Sequence, residues 1–197
     1  QSLAAKIVDL GRDLVALQTD LRSAGPPPAT QGAKHYAIIP YDQLIDWLIS
    51  RYPHETAMYR AIGCQTLEEY IDTGDTQVAV LKHHGLRDGM AIYDLGCGSG
   101  RTAQALMRAG WSGTYKGADI VEALVDNVNA KCPGFPAMVN RNLSILADDA
   151  SQDMIYHWSV FTHLFVEECY LYLKDIFRTL KPGGRLVFSF LELESDA

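Results

Sequence analysis

The sequence predicts an α/β fold: a doubly wound, mostly parallel sheet preceded by helices. Three observations carry that expectation. From residue 91 onward, short apolar runs alternate with helical patterns. The connections are short turns such as Lys181-Pro182-Gly183-Gly184. Three glycines, Gly96, Gly98 and Gly100, stand where the first strand hands over to the first helix.

Composition sets the bounds. With 197 residues, 48% of them apolar and 21% charged, the chain has enough apolar material for a packed core, which rules out wholesale disorder. Seventeen Lys and Arg against twenty-four Asp and Glu give a net charge of −7, with no basic run. That disfavours a partner with a phosphate backbone, so no nucleic acid is expected. No apolar stretch reaches the length of a membrane span and nothing resembles a signal peptide, so no membrane partner and a cytoplasmic location are expected. Cys64, Cys97, Cys132 and Cys169 are scattered without a CxxC pair. This fits a reducing compartment and argues against a disulfide frame or a thiolate zinc site.

The elements follow in chain order. In residues 1–25, Leu3, Ile7, Leu10, Leu14, Leu17 and Leu21 alternate in steps of four and three. This is a coiled-coil-like spacing that an amphipathic helix packed on its own domain would nearly share. The coiled coil would make a homodimer or join the chain to a larger multidomain protein. Residues 26–34 are a proline-rich linker, because Pro26-Pro27-Pro28 cannot continue a helix. Residues 35–90 read as a helical cap. Tyr41, Leu44, Ile45 and Leu48 share a helix face, Thr66 to Glu69 is a capping box, and Asp75 suits the start of a further helix stopped by Gly85. Within 91–197 the expected strands are 91–95, 114–118, 136–140, 153–158 and 185–191. The helices between them are 101–109, 121–131 and 166–180, the last with Tyr170, Leu173, Ile176 and Phe177 turned inward. Short right-handed crossovers make such a sheet Rossmann-like. The chain opens on Gln1 and stops at Ala197, soon after the fifth strand, and reads as an excerpt of a longer protein.

The densest chemical signal is Tyr93-Asp94-Leu95-Gly96-Cys97-Gly98-Ser99-Gly100-Arg101. Glycines at every second position let the backbone bend sharply and approach a ligand, at a helix N-terminus with free N–H groups. Asp119 follows the second strand, where an acid suits the two hydroxyls of an unphosphorylated ribose. Ile120 beside it suits an adenine face. The spacing is neither the GxGxxG of dinucleotide loops nor a P-loop. A tight strand-to-helix turn with solvated acids is the plainer alternative.

These residues resemble the class I S-adenosylmethionine-dependent methyltransferase family, small-molecule type. The match is carried by four segments in order. They are the glycine-rich run at 93–101, Gly117-Ala118-Asp119-Ile120, Trp158-Ser159-Val160-Phe161-Thr162-His163-Leu164, and Leu180-Lys181-Pro182-Gly183-Gly184. The resemblance implies a seven-strand sheet, here cut short after strand 5, and S-adenosylmethionine as cofactor with S-adenosylhomocysteine as product. It also implies the site. Gly96, Cys97 and Gly98 would line the methionine part. Asp94 would orient its ammonium, Asp119 would hold the ribose, and Ile120 would cover the adenine. Asn142 and Leu143 would cap the adenine edge, while Trp158 and Ser159 would flank the sulfonium. The stretch 66–84, with Tyr70 and Gly74, would be the lid. All of this requires Asp119 to face the cleft and the hollow beside Gly98 to be clear of bulky side chains.

For a hydroxyl or amine acceptor, His163 and His157 are the candidate bases. Each has a structural alternative: His157 falls within an alternating strand, and His163 can bond a backbone carbonyl. Tyr36, Tyr41, Tyr52 and Trp47 are candidate acceptor-pocket residues, although aromatic stripes at helical spacing usually serve a core. No acid–histidine cluster suits a metal. The expected function is methyl transfer to a small-molecule or glycan acceptor. The alternatives are a non-catalytic cofactor-binding or assembly module of a larger protein and, further off, a nicotinamide-dependent oxidoreductase.

Overall fold

The computed structural model describes residues 41–190. Residues 1–25, with their heptad pattern, and the linker 26–34 lie outside the described residues.

Three helices precede the sheet: α1 (Tyr41–Arg51), α2 (His54–Ala61) and α3 (Leu67–His83). The expected apolar face of α1 is buried through Leu44, Ile45 and Leu48. Pro53 breaks the chain after α1 and stands at the N-cap of α2, where its missing N–H has no bond to lose. At the start of α3 the Glu69 amide donates to Thr66 Oγ1 at 3.1 Å, and the Glu69 carboxylate accepts the Gln65 amide at 2.6 Å. The separate helix expected from Asp75 does not exist. α3 runs through it unbroken, and Asp75 pairs instead with Arg108 at 2.7 Å.

The sheet then forms from β1 (Ala91–Leu95), β2 (Thr114–Asp119), β3 (Ala137–Val139), β4 (Gln152–His157) and β5 (Leu180–Phe188). Between them lie α4 (Arg101–Arg108), α5 (Glu122–Lys131) and α6 (Val166–Thr179). The strand order is β3-β2-β1-β4-β5, and every pairing is parallel. Lys181 to Gly184 leave the ladder between two paired points, Gln152 opposite Leu180 and Met154 opposite Arg185, with Gly183 at φ 81°. The proline–glycine turn is thus an excursion inside β5.

Alternation along the strands builds two cores. Ile92, Met154 and Tyr156 pack with Val78, Leu81, Leu106, Val125 and Val128 from α3, α4 and α5. Tyr93, Leu95 and Ile155 face the opposite way and pack with Tyr172 and Ile176 of α6. Both faces are covered, as a parallel sheet requires. The inward face of α6 is not the expected one. Tyr172, Ile176 and Thr179 are buried, whereas Tyr170 and Phe177 are 65% and 84% exposed. The flat sheet takes one narrow stripe of the helix, and the larger aromatics fall outside it.

Gly74 sets how closely α3 approaches α4. A Cβ there would lie 2.9 Å from the Arg101 carbonyl oxygen and 3.1 Å from Ala105 Cβ. Alanine is the better helix former by about 1 kcal/mol, but a backbone oxygen cannot yield without parting the helices. Gly74→Ala should therefore destabilise the fold, by about 1–3 kcal/mol in urea unfolding. An unchanged or raised midpoint would show that the two helices separate freely.

Candidate functional site

The carboxyl ends of β1 and β2 carry the glycine loop. Gly96, Gly98 and Gly100 have φ of 70°, 55° and 90°, values that L side chains adopt only with strain. The amides of Gly96 and Cys97 donate to the Ala118 carbonyl at 2.8 and 3.0 Å, so the loop folds across onto β2. The next amide, Gly98 N–H, donates to Asp119 Oδ2 at 2.9 Å, and Val121 N–H donates to Oδ1 at 3.1 Å. Burial pushes the Asp119 carboxyl up from its ordinary value. The amides of Val121, Gly98 and Ile120 oppose that shift, and nearby Asp42 adds to it. Gly100 serves packing, since a Cβ there would lie 3.0 Å from Val128 of α5.

Beneath the loop, Asp94 is 2% exposed and accepts a 2.8 Å hydrogen bond from Tyr115 Oη. Burial pushes its carboxyl up to about 7, with the charge of Asp119 acting in the same direction. Gly117 makes the room, because a Cβ there would stand 3.0 Å from Tyr115 Oη and 3.1 Å from Cys97 Sγ. Cys97 turns its thiol into this packing, and burial holds it protonated. Its possible contribution to a ligand is therefore its backbone. Behind the loop, the Ser99 carbonyl accepts from Asn127 Nδ2 at 2.8 Å and from Tyr70 Oη at 3.3 Å.

That last bond corrects the expectation for 66–84. α3 braces the glycine loop from behind and packs along α4 through Gly74. The elements over the carboxyl ends of the strands are α1 and α2. Tyr41 Oη at the start of α1 and His163 Nε2 after β4 share a 3.1 Å hydrogen bond, with the rings edge-on at 5.6 Å. Burial and the charge of Asp119 hold the Tyr41 phenol up at about 12, and burial lowers His163 below its ordinary value. His54 at the start of α2 bonds Asn127 Oδ1 of α5 at 3.2 Å.

The other expected residues are spread around this cleft. Ile120 is 47% exposed, one residue beyond Asp119. Asn142 is exposed; its amide donates to Asn140 Oδ1 at 3.0 Å and its carbonyl accepts from Tyr172 Oη at 3.2 Å. Leu143 packs against the α6-side core and Trp158 against the opposite one. Ser159 follows β4 in the left-handed region, at φ 59°, with its amide donating to Ser189 Oγ at 2.7 Å. Asp119 is half-buried with both carboxylate oxygens turned to backbone amides, and the hollow beside Gly98 is not clear. A Cβ on Gly98 would lie 2.8 Å from Ile62 Cγ2, and one on Gly96 would run into Val160 Cγ2. Ile62 caps α2 and Val160 follows β4, so both reach the loop from other parts of the chain. Ile62, Tyr115 and Asn127 carried no motif in the sequence, while Val160 lay in the 158–164 segment and Tyr41 among the candidate acceptor-pocket residues, neither with a role at the loop. Gly117 carried a signal, as a lone glycine inside a strand, where another group approaches the backbone closely.

His157 is not placed to meet an acceptor. It is wholly buried, with ring centroids 4.1 Å from Phe161 and 5.2 Å from Phe188, and neither ring nitrogen has a hydrogen-bond partner. Among the described residues, no group of His, Cys, Asp and Glu could hold a metal ion. Nor is any helix among them long and apolar enough to cross a membrane.

Strand order and glycine loop define an α/β domain of the Rossmann-like class. A family model described as a methyltransferase domain matches residues 93–188. Over those residues, the chain is similar to the class I S-adenosylmethionine-dependent methyltransferase family. The fold is similar to that of Haemonchus contortus phosphoethanolamine N-methyltransferase 1, solved with phosphoethanolamine and S-adenosylhomocysteine. The TM-score is 0.56 at 17% identity, over 75% of this chain and 31% of that one. It is also similar to the PH0226 protein of Pyrococcus horikoshii OT3, with TM-score 0.53 at 22% identity, over 61% and 58% of the two chains. An S-adenosylmethionine-dependent methyltransferase from Mesorhizobium loti gives 0.51 at 23%, over 60% and 53%. The chain thus spans less than two thirds of the length of each of these three.

Burial lowers His157 to about 4, against an ordinary 6.5, so the folded protein holds this ring neutral where the unfolded chain would protonate it. Its contribution to stability is complete above pH 6.5 and is lost as pH falls toward 4, on the order of 3 kcal/mol in all. The raised Asp94 carboxyl acts in the opposite sense over much of the same window, so the informative quantity is a difference between variants. Between pH 7.5 and 5, wild type should lose stability relative to His157→Leu in urea unfolding. A pH-independent difference would contradict the neutral buried ring.

Proposed function

We propose that this protein is a cytoplasmic methyltransferase that uses S-adenosylmethionine to methylate a small-molecule or glycan acceptor. The observation that carries the reading is the seating of Asp119. Its carboxylate stands at the carboxyl end of β2, already drawn against the Gly98 amide, beside glycines held in the left-handed region. Oδ2 accepts the Gly98 amide and Oδ1 the Val121 amide, and the remaining lone pairs of the carboxylate suit a ribose hydroxyl.

In this reading, Gly96, Gly98 and the backbone of Cys97 line the methionine part, and Asp119 takes the ribose. Ile120 packs on the adenine at the rim, with Asn142 and Leu143 along its edge. Trp158 and Ser159 lie beside the sulfonium. Asp94, sealed under the loop, favours the ammonium through the loop or a bridging water. S-adenosylmethionine, when bound, supplies an electrophilic methyl group that departs readily to an in-line nucleophile. The chain supplies alignment and exclusion of water. His163, kept neutral by burial, takes the proton of a hydroxyl or amine acceptor. A small acceptor suits an acidic chain, and the fold neighbour from H. contortus was solved with the small molecule phosphoethanolamine.

Two measurements test this reading. Asp119→Ala should weaken S-adenosylhomocysteine binding by about 1–3 kcal/mol in titration calorimetry, while ligand-free melting checks that the glycine loop still folds. Unchanged affinity would mean that the carboxylate serves the loop alone. An ammonium near Asp94 lowers a carboxyl that sits near 7 in the free protein. Binding at pH 7 should therefore release protons and give an enthalpy that depends on the buffer. An enthalpy independent of the buffer would remove Asp94 from the ammonium site.

A further inference from the structure

We infer that Ile62 and Val160 form a displaceable double plug over the glycine loop, so that a ligand enters only when the α1–α2 cap and the post-β4 turn draw apart. The inference rests on the proposed cofactor site and says how that site is guarded.

The two plugs come from different parts of the chain and converge on neighbouring glycines. Ile62 is the C-cap of α2 and sets its Cγ2 2.8 Å from where a Gly98 Cβ would be. Val160 presses Cγ2 onto the equivalent position of Gly96. These are the sides of the loop that a glycine leaves bare, and a methionine part lying on them needs the space the two methyl groups hold. The closed arrangement and a bound ligand are therefore mutually exclusive.

The plug is built to move. Both side chains are only half-buried, Val160 packing at the edge of the α6-side core. Val160 is aimed by Ser159, whose φ of 59° is unfavourable for a residue with a Cβ and is held by the Ser189 hydroxyl at 2.7 Å and the Thr162 hydroxyl on its carbonyl at 2.8 Å. Ile62 is aimed by Gly63, at φ 88°, directly after it. One hydrogen bond, Tyr41 Oη to His163 Nε2 at 3.1 Å, ties the cap to the turn that carries Val160. Opening thus breaks this bond and the His54–Asn127 bond, swings two short hinges and lifts Val160 off the edge of the α6-side core, with the sheet ladder kept. Apparent affinity then equals the intrinsic affinity scaled by the open fraction, and trimming a plug raises that fraction.

The test pairs a ligand-free readout with a binding readout, on wild type, Ile62→Ala, Val160→Ala and the double variant. Ile62→Val is included as a variant that keeps part of the contact. In amide hydrogen exchange without ligand, the peptide holding Gly96 to Gly100 should exchange several-fold faster in the double variant, while β1 stays protected. In stopped-flow mixing, S-adenosylhomocysteine should associate several-fold faster, with Ile62→Val falling between Ile62→Ala and wild type. Unchanged exchange together with an unchanged association rate would overturn the plug and leave the cofactor site standing. Faster exchange in a protein that binds no S-adenosylhomocysteine in any form would keep the plug and overturn the cofactor reading.

Discussion

The glycine loop depends on one hydrogen bond above all, from the Gly98 amide to the Asp119 carboxylate across the carboxyl ends of β1 and β2. The loop before it is hung from the Ala118 carbonyl, and the residue after Gly98 turns its carbonyl back toward Asn127 and Tyr70. A charged group in so sheltered a place is costly unless it is bonded. The loop amides meet that need, and in return the carboxylate fixes the loop in a left-handed path that few residues besides glycine tolerate.

A second layer of constraint comes from what the glycines lack. Gly74 lets α3 lie against α4, Gly100 lets α5 approach the loop, and Gly117 leaves space for Tyr115 to reach Asp94. These three serve packing. Gly96 and Gly98 meet side chains of the cap and the post-β4 turn instead, so the same missing Cβ has a different meaning on the two sides of the loop. The Tyr41 phenol and the His163 imidazole, both kept uncharged by burial, close the cleft with a bond that does not require an ion pair to part.

The sheet was legible because its signals are local. Apolar strands, proline–glycine turns and the capping box at Thr66 each dictate their own few residues, and the glycine run with Asp119 announced the loop. Three features were not legible for a shared reason: they depend on what lies opposite. The buried face of α6 was misassigned because Tyr170 and Phe177 are apolar but stand beyond the narrow stripe the sheet covers. The stretch 66–84 suggests a lid, whereas its Tyr70 bonds the Ser99 carbonyl and it is Ile62 and Tyr41, from α2 and α1, that reach Gly98 and His163. The continuity of α3 through Asp75 was missed because a good capping residue inside a helix can find a salt bridge instead. His157 shows the limit most plainly, since the sequence offers an imidazole at a strand end and only the surrounding aromatic rings decide that it stays sealed and neutral.

The central claim is that Asp119 and the bare glycines together form the seat of an adenosyl ligand. A crystal structure of the protein grown with S-adenosylhomocysteine tests it most directly. The account requires the ribose hydroxyls within hydrogen-bonding distance of Asp119, the methionine part along Gly96 and Gly98, and Ile62 and Val160 displaced from the loop. Ligand density elsewhere on the molecule, with Asp119 still bonded only to its amides, would contradict it.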